Sequence, residues 1–212
     1  MPRPKFALAL IALAVIIPLG LPNGRVYAVH VDTIGVGGST LNGHVDWYQG
    51  QYAIYDFYVR TTPLIERGYT EIQDRARPRM NGFSTFEVPY HSDAGGIPSC
   101  TLHYYQAAHS GSADLRVNYL YDITYWSPSD NDLFWAAWND TITIATDDAQ
   151  STDGWHTVAL TLAGNTQVGT MAASGGGNLI TGWTYRDSVS GTYADVTGSG
   201  QNAPFIVAVY QQ

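Results

Sequence analysis

The sequence predicts an all-β protein, a single antiparallel β-sandwich of about nine strands with little helix. Three observations predict it. Segments of period-two alternation, rich in β-branched and aromatic residues, recur along the chain between clusters of Gly, Asn, Asp, Ser or Pro. The 212 residues include 22 Gly, and only 13% are charged while 13% are aromatic. That charged share is about half the usual ~25% and is the reverse of a disordered composition. Finally, helical periodicity is thin throughout. Each strand then has one apolar face to hide, and two packed sheets are the economical solution.

Residues 1–28 read as a secretory signal peptide. Arg3 and Lys5 precede an apolar run at 6–21, broken by Pro18, and Val26-Tyr27-Ala28 fits cleavage after Ala28. The run is shorter than the roughly 20 residues that span a bilayer, so cleavage is favoured over anchoring. The expected product is a single domain of residues 29–212, secreted to the extracellular space or cell surface, with no membrane span after cleavage.

Within that domain the strands are expected at 52–59, 82–88, 100–106, 117–123, 142–144, 155–162, 179–185, 192–196 and 205–210. In the sixth, Val158, Leu160 and Leu162 are expected to face inward. The best helical candidate is 62–77, carrying Leu64, Ile65, Ile72 and Ala76 and ending at Pro78. Residues 132–138 suit a single turn. Cys100, the one cysteine, shares a strand face with Leu102 and Tyr104, which reads as a buried structural thiol and not a nucleophile.

The whole chain has a net charge of -8, and without 1–28 seven Arg face 18 acidic residues, a formal -11. No Lys follows Lys5. An acidic domain without lysine excludes non-specific nucleic-acid binding through phosphates. Arg75, Arg77 and Arg79 form the local basic cluster, read either as a solvated loop or as a contact for acidic neighbours.

From residue 82 onward the order of features resembles secreted jelly-roll β-sandwich modules of the carbohydrate-binding and disaggregatase-related type. The resemblance rests on Gly82-Phe83, Phe86-Glu87, Ile97-Pro98, Thr101-Leu102, Tyr104-Tyr105, Gly154-Trp155 and the closing run from Pro204 to Tyr210. It implies a jelly-roll-like topology and a role attached to polysaccharides. Two positions depart from the pattern: Glu87 stands where Asp is usual, and 91–96 replaces a serine-rich turn. Most matched positions are structural, so the resemblance speaks to fold more than to ligand.

The densest candidate for ligand binding is the segment 125–140, with Tyr125, Trp126, Asp130, Asp132, Trp135, Trp138 and Asn139. Aromatic planes stack on the C–H faces of sugars while Asp and Asn accept hydroxyl hydrogen bonds. The same tryptophans also suit a covered sandwich end. Trp47 and Tyr48 form a second, weaker patch, and Trp155 and Trp183 are assigned to the core. Asp130, Asp132, Asp147, Asp148 and Asp153 offer loop oxygens suited to a structural calcium ion, against the alternative of solvated turns and no cofactor. Asp130-Asn131-Asp132 begins like an EF-hand loop, but the required Gly and bidentate Glu do not follow.

Among the six histidines, His91, His103 and His109 lie close in sequence, and with Asp93 or Asp114 they suit a metal or acid–base cluster. Scattered turn histidines are the alternative. No His-Glu-x-x-His, Gly-x-Ser-x-Gly or phosphate-loop motif is present, so no catalytic residue is nominated. The expected function is a secreted, non-catalytic module binding a glycan or cell-surface polymer. The alternative is a structural, self-associating extracellular protein, and behind it a small polysaccharide-degrading enzyme.

Overall fold

The computed structural model describes residues 29–37, 43–49, 55–60, 65–67, 79–92, 96–110, 113–120, 142–150, 152–185, 192–198 and 200–211. Their strands are β1 (Val29–Gly35), β2 (Gly43–Gln49), β3 (Tyr55–Arg60), β4 (Ile65–Arg67), β5 (Arg79–Val88), β6 (Ser99–Ser110) and β7 (Ala113–Tyr119). They continue with β8 (Thr143–Gln150), β9 (Gly154–Ala159), β10 (Gly177–Tyr185), β11 (Thr192–Val196) and β12 (Phe205–Gln211). One helix, α1 (Leu162–Ala173), and a short 3-10 turn at Gly200–Asn202 complete the set. No helix among the described residues is long and apolar enough to cross a membrane.

Every pairing between named strands is antiparallel, as the alternating sequence requires. Two four-stranded wings carry the fold. One runs β1-β12-β6-β9, and the other runs β5-β10-β7-β8. β11 and β4 carry the hydrogen-bonded ladder from β6 to β5, and β2 pairs with β3 and β5. Strand β6 pairs with β9 along one edge and with β12 and then β11 along the other, and in the β11 ladder its register slips once: Asp195 faces Ala108 while Val196 faces Gln106. That bulge bends the strand and re-aims its second half.

The inward faces of the two wings make one core. Ile34, Leu102, Tyr104, Ile206 and Ala208 come from the first wing, and Phe86, Leu115, Val117, Ile144, Leu179 and Trp183 from the second. Tyr104 meets Trp183 edge-on, with ring centroids 5.5 Å apart, the offset that aromatic quadrupoles favour. The Trp183 indole N–H donates to Thr181 Oγ1, whose hydroxyl donates to the Ser84 carbonyl. Cys100 is buried with Leu102 and Tyr104, as expected, and burial pushes its thiol up to about 12.

The architecture is all-β and sandwich-like, with twelve strands among the described residues where about nine were expected. Three differences stand out. Strands β1, β2 and β4 add to the expected nine. Residues 65–67 of the expected helix form β4 instead, paired with β11; residues 68–78 lie outside the described set. The expected strand at 155–162 stops at Ala159, and Leu162 opens α1 with 72% of its surface exposed.

Helix α1 was hidden because its buried face is made of Gly164, Val168, Gly169 and Ala172, a stripe of small residues with no apolar bulk. Space explains the glycines. A Cβ on Gly164 would stand 2.9 Å from both Ile144 Cβ and the Ile144 carbonyl oxygen. Thr161 caps the helix by accepting from the Gly164 N–H at 3.2 Å and donating to the Thr143 carbonyl. At the other end Gly176, at φ +84°, donates its N–H to the Met171 carbonyl and lies against the Val88 carbonyl, where a side chain has no room.

Candidate functional site

Strands β6, β9 and β12 turn one face inward and the other to solvent, and the outward face carries rings. Register aligns Phe205 with His103 and His103 with Thr157, while Tyr105 lies opposite Trp155. His103 stacks on Phe205 with centroids 4.6 Å apart and planes 4° from parallel. Trp155 meets Tyr105 at 5.6 Å and Phe205 at 5.8 Å, both edge-on. Trp155 is 50% exposed, so its assignment to the core is corrected: the β9 alternation places Val158 on the inner side and Trp155 on the outer. Trp183, by contrast, is fully buried as expected.

The platform has a polar frame. His103 Nε2 lies 3.1 Å from Thr101 Oγ1, and its Nδ1 lies 3.0 Å from Thr157 Oγ1. One threonine accepts from the ring N–H while the other donates to the bare nitrogen, whichever tautomer is present. Desolvation lowers the His103 pKa below its ordinary value, which favours the neutral, stackable ring.

The expected histidine cluster does not assemble. His103 lies in the platform. His109 Nδ1 pairs with Asp153 Oδ1 at 2.6 Å on the surface. His91 joins His30 and Asp32 instead. Asp93 lies outside the described residues, and Asp114 is described in its backbone alone.

This second locus is built from three elements. His30 and Asp32 project from β1 to the side that buries Ile34, and His91 follows β5. The His91 backbone N–H donates to the Ala172 carbonyl, so the last turn of α1 holds it in place. His30 Nε2 lies 2.9 Å from Asp32 Oδ1, and His91 Nε2 is hydrogen-bonded to Asp32 Oδ2. The two imidazole centroids are 4.2 Å apart. Tyr210 of β12 closes the floor, its ring 5.2 Å from His91 and 6.1 Å from His30. Burial and then the charges of Asp32 and Cys100 push the Tyr210 hydroxyl up to about 12, so it remains a proton donor.

Other sequence-nominated residues fall as follows. Tyr125, Trp126, Asp130, Asp132, Trp135, Trp138 and Asn139 lie outside the described residues. Trp47 and Tyr48 belong to β2, opposite Phe57 and Asp56 of β3, with their side chains undescribed. Asp148 lies in β8 on the same terms. Asp147 Oδ2 accepts from the Tyr104 hydroxyl at 2.5 Å and pairs with His156 Nδ1 at 2.9 Å. Among the described residues, the group of three with metal-ligating atoms in mutual reach is His30, Asp32 and His91.

Compared with known proteins, the chain matches no family model and no curated sequence.

Proposed function

We propose that this protein is an exported, non-catalytic module that binds a polysaccharide, with the outer face of β9-β6-β12 as its platform. The observation that carries the reading is the half-exposed Trp155, held edge-on by Tyr105 and Phe205 with His103 stacked beside them. Sugar rings offer C–H faces that pack on such planes, and Thr101 and Thr157 supply hydroxyls at the margin. The occupant is a polymer because the rings span three adjacent strands, a length suited to consecutive sugar units. A jelly-roll-like topology, removal of residues 1–28 on export, and kinship with disaggregatase-related modules belong to the same proposal.

The test is retention of folded protein in gels containing single polysaccharides. Trp155→Ala should weaken retention at least tenfold, about 1.4 kcal/mol. Retention unaffected by Trp155→Ala and Phe205→Ala, but lost in Trp135→Ala/Trp138→Ala, would move the site to the segment 125–140. Wild-type protein that migrates freely through every polysaccharide ends the carbohydrate reading.

A further inference from the structure

Strand β1 runs Val29-His30-Val31-Asp32-Thr33-Ile34, and its alternation is inverted relative to hydrophobicity. Val29 and Val31 are 47% and 51% exposed, while the carboxylate-bearing side chain of Asp32 is only 15% exposed. Register explains how. Ile34 pairs with Ile206 and is buried, and a period of two then puts Asp32 and His30 on the same side, beside Ala208 and Tyr210, with Asp32 largely covered and the His30 side chain still 42% exposed at the strand end. Slipping the strand by one residue would bury the valines but expel Ile34. Packing alone gives no reason for an aspartate and a histidine here. Conflicts of this kind between local composition and global position mark functional sites.

A second observation points to a ligand. The Tyr210 hydroxyl belongs to a side chain only 3% exposed and has no hydrogen-bond partner. A buried unsatisfied hydroxyl costs roughly 1–3 kcal/mol, so such groups normally have an occupant to satisfy them. Its ring packs against both histidines of the His30–Asp32–His91 group, with centroids 5.2 Å from His91 and 6.1 Å from His30.

We propose that His30, Asp32 and His91 form a site for a divalent transition-metal ion of the zinc class, with Tyr210 facing its fourth position. The chemistry of the donor set selects the ion. Two imidazole nitrogens and one carboxylate suit zinc, whereas calcium takes six to eight oxygens. One ring nitrogen of each histidine and an Asp32 oxygen lie within 4.8 Å of one another, and both Nε2 atoms already meet the Asp32 carboxylate, so small side-chain rotations bring them onto one ion. In the metal-bound form each Nε2 offers its lone pair and carries its proton on Nδ1. Three protein ligands leave one position for a solvent or ligand oxygen, and the Tyr210 hydroxyl donates to it. The ion would tie the edge strand β1 to the segment after β5, which α1 holds.

The test is a zinc titration of the purified full chain by calorimetry, with melting temperature and mass spectrometry alongside. One zinc ion should bind per chain and raise the melting temperature, with calcium and magnesium inert. Zinc should also shield His30 and His91, but not His109, from diethylpyrocarbonate modification, a readout that needs no variant. His91→Gln and Asp32→Asn should each weaken binding at least tenfold, and His109→Gln should leave it unchanged. Tyr210→Phe should keep the stoichiometry while shifting the visible spectrum of the cobalt-substituted protein. Folded wild-type chain that takes up no zinc, or zinc that shields other histidines while leaving His30 and His91 reactive, would overturn the proposal. In that case Asp32 serves only as a hydrogen-bond clamp between two imidazoles.

Discussion

The wing β1-β12-β6-β9 has two faces whose chemistry is exchanged at their ends. Its solvent face carries Trp155, Tyr105 and Phe205, while its inward face, beyond Ile206 and Ala208, ends in His30, Asp32 and Tyr210. A strand holds one parity along its length, so residues placed by a single well-buried anchor carry their neighbours with them. On β1 the anchor is Ile34 and the passengers are polar; on β9 the inner partner is Val158 and the passenger is an indole. The comparison teaches that exposure of rings and the partial burial of a carboxylate arise here from one cause, register.

The largest effect tests the scaffold beneath both faces. Trp183→Ala should cost about 3–5 kcal/mol in urea unfolding, because it empties the centre of the core and strands the Thr181 hydroxyl network. Trp155→Ala removes the same side chain from the outer face, and it should cost under about 1.5 kcal/mol while taking glycan retention with it. Comparable losses of stability for the two would mean that Trp155 is a packing residue.

Gly164→Ala separates the two faces. Its Cβ would press on Ile144, an overpacking cost of about 1–3 kcal/mol, offset by about 1 kcal/mol of helix propensity. The net loss should be roughly 0–2 kcal/mol. Displacing α1 should disturb the His91 segment, and so zinc uptake, more than polysaccharide retention. Equal disturbance of both would break the distinction.

A smaller effect follows from His103. Its pKa is depressed by desolvation in the folded protein, so below the ordinary histidine value the unfolded chain binds more protons than the folded one. Its contribution therefore falls as pH drops through the ordinary value and toward the depressed one. Melting curves of wild type and His103→Gln should converge on acidification, with wild type losing more. The smallest effect is none at all: Cys100, its thiol pushed up to about 12, should resist alkylation in the folded chain and react on unfolding.

The all-β character was legible because alternation reports a half-buried surface directly, and Cys100, Leu102 and Tyr104 fell on the buried face for that reason. The helix was not legible. Its docking face is built from glycine and alanine, chosen for close approach to Ile144, and close approach leaves no hydrophobic signal. Nor was the His30–Asp32–His91 group. Proximity in sequence suggested His91, His103 and His109, yet those three belong to a loop, an outer strand face and a surface pair. A faint signal did exist in β1, where Ile34 and Val36 share parity with His30 and Asp32.

The sequence by itself determined the all-β character, the acidic charge, and which residues alternate together, because these depend on composition and on the two-residue period of a strand. Which of the two alternating sets faces the core was decided only by tertiary structure. Pairing β1 with β12 in one register buries Ile34 and brings together side chains that are 61 positions apart between His30 and His91. Non-local pairing carries that information, and no local window contains it.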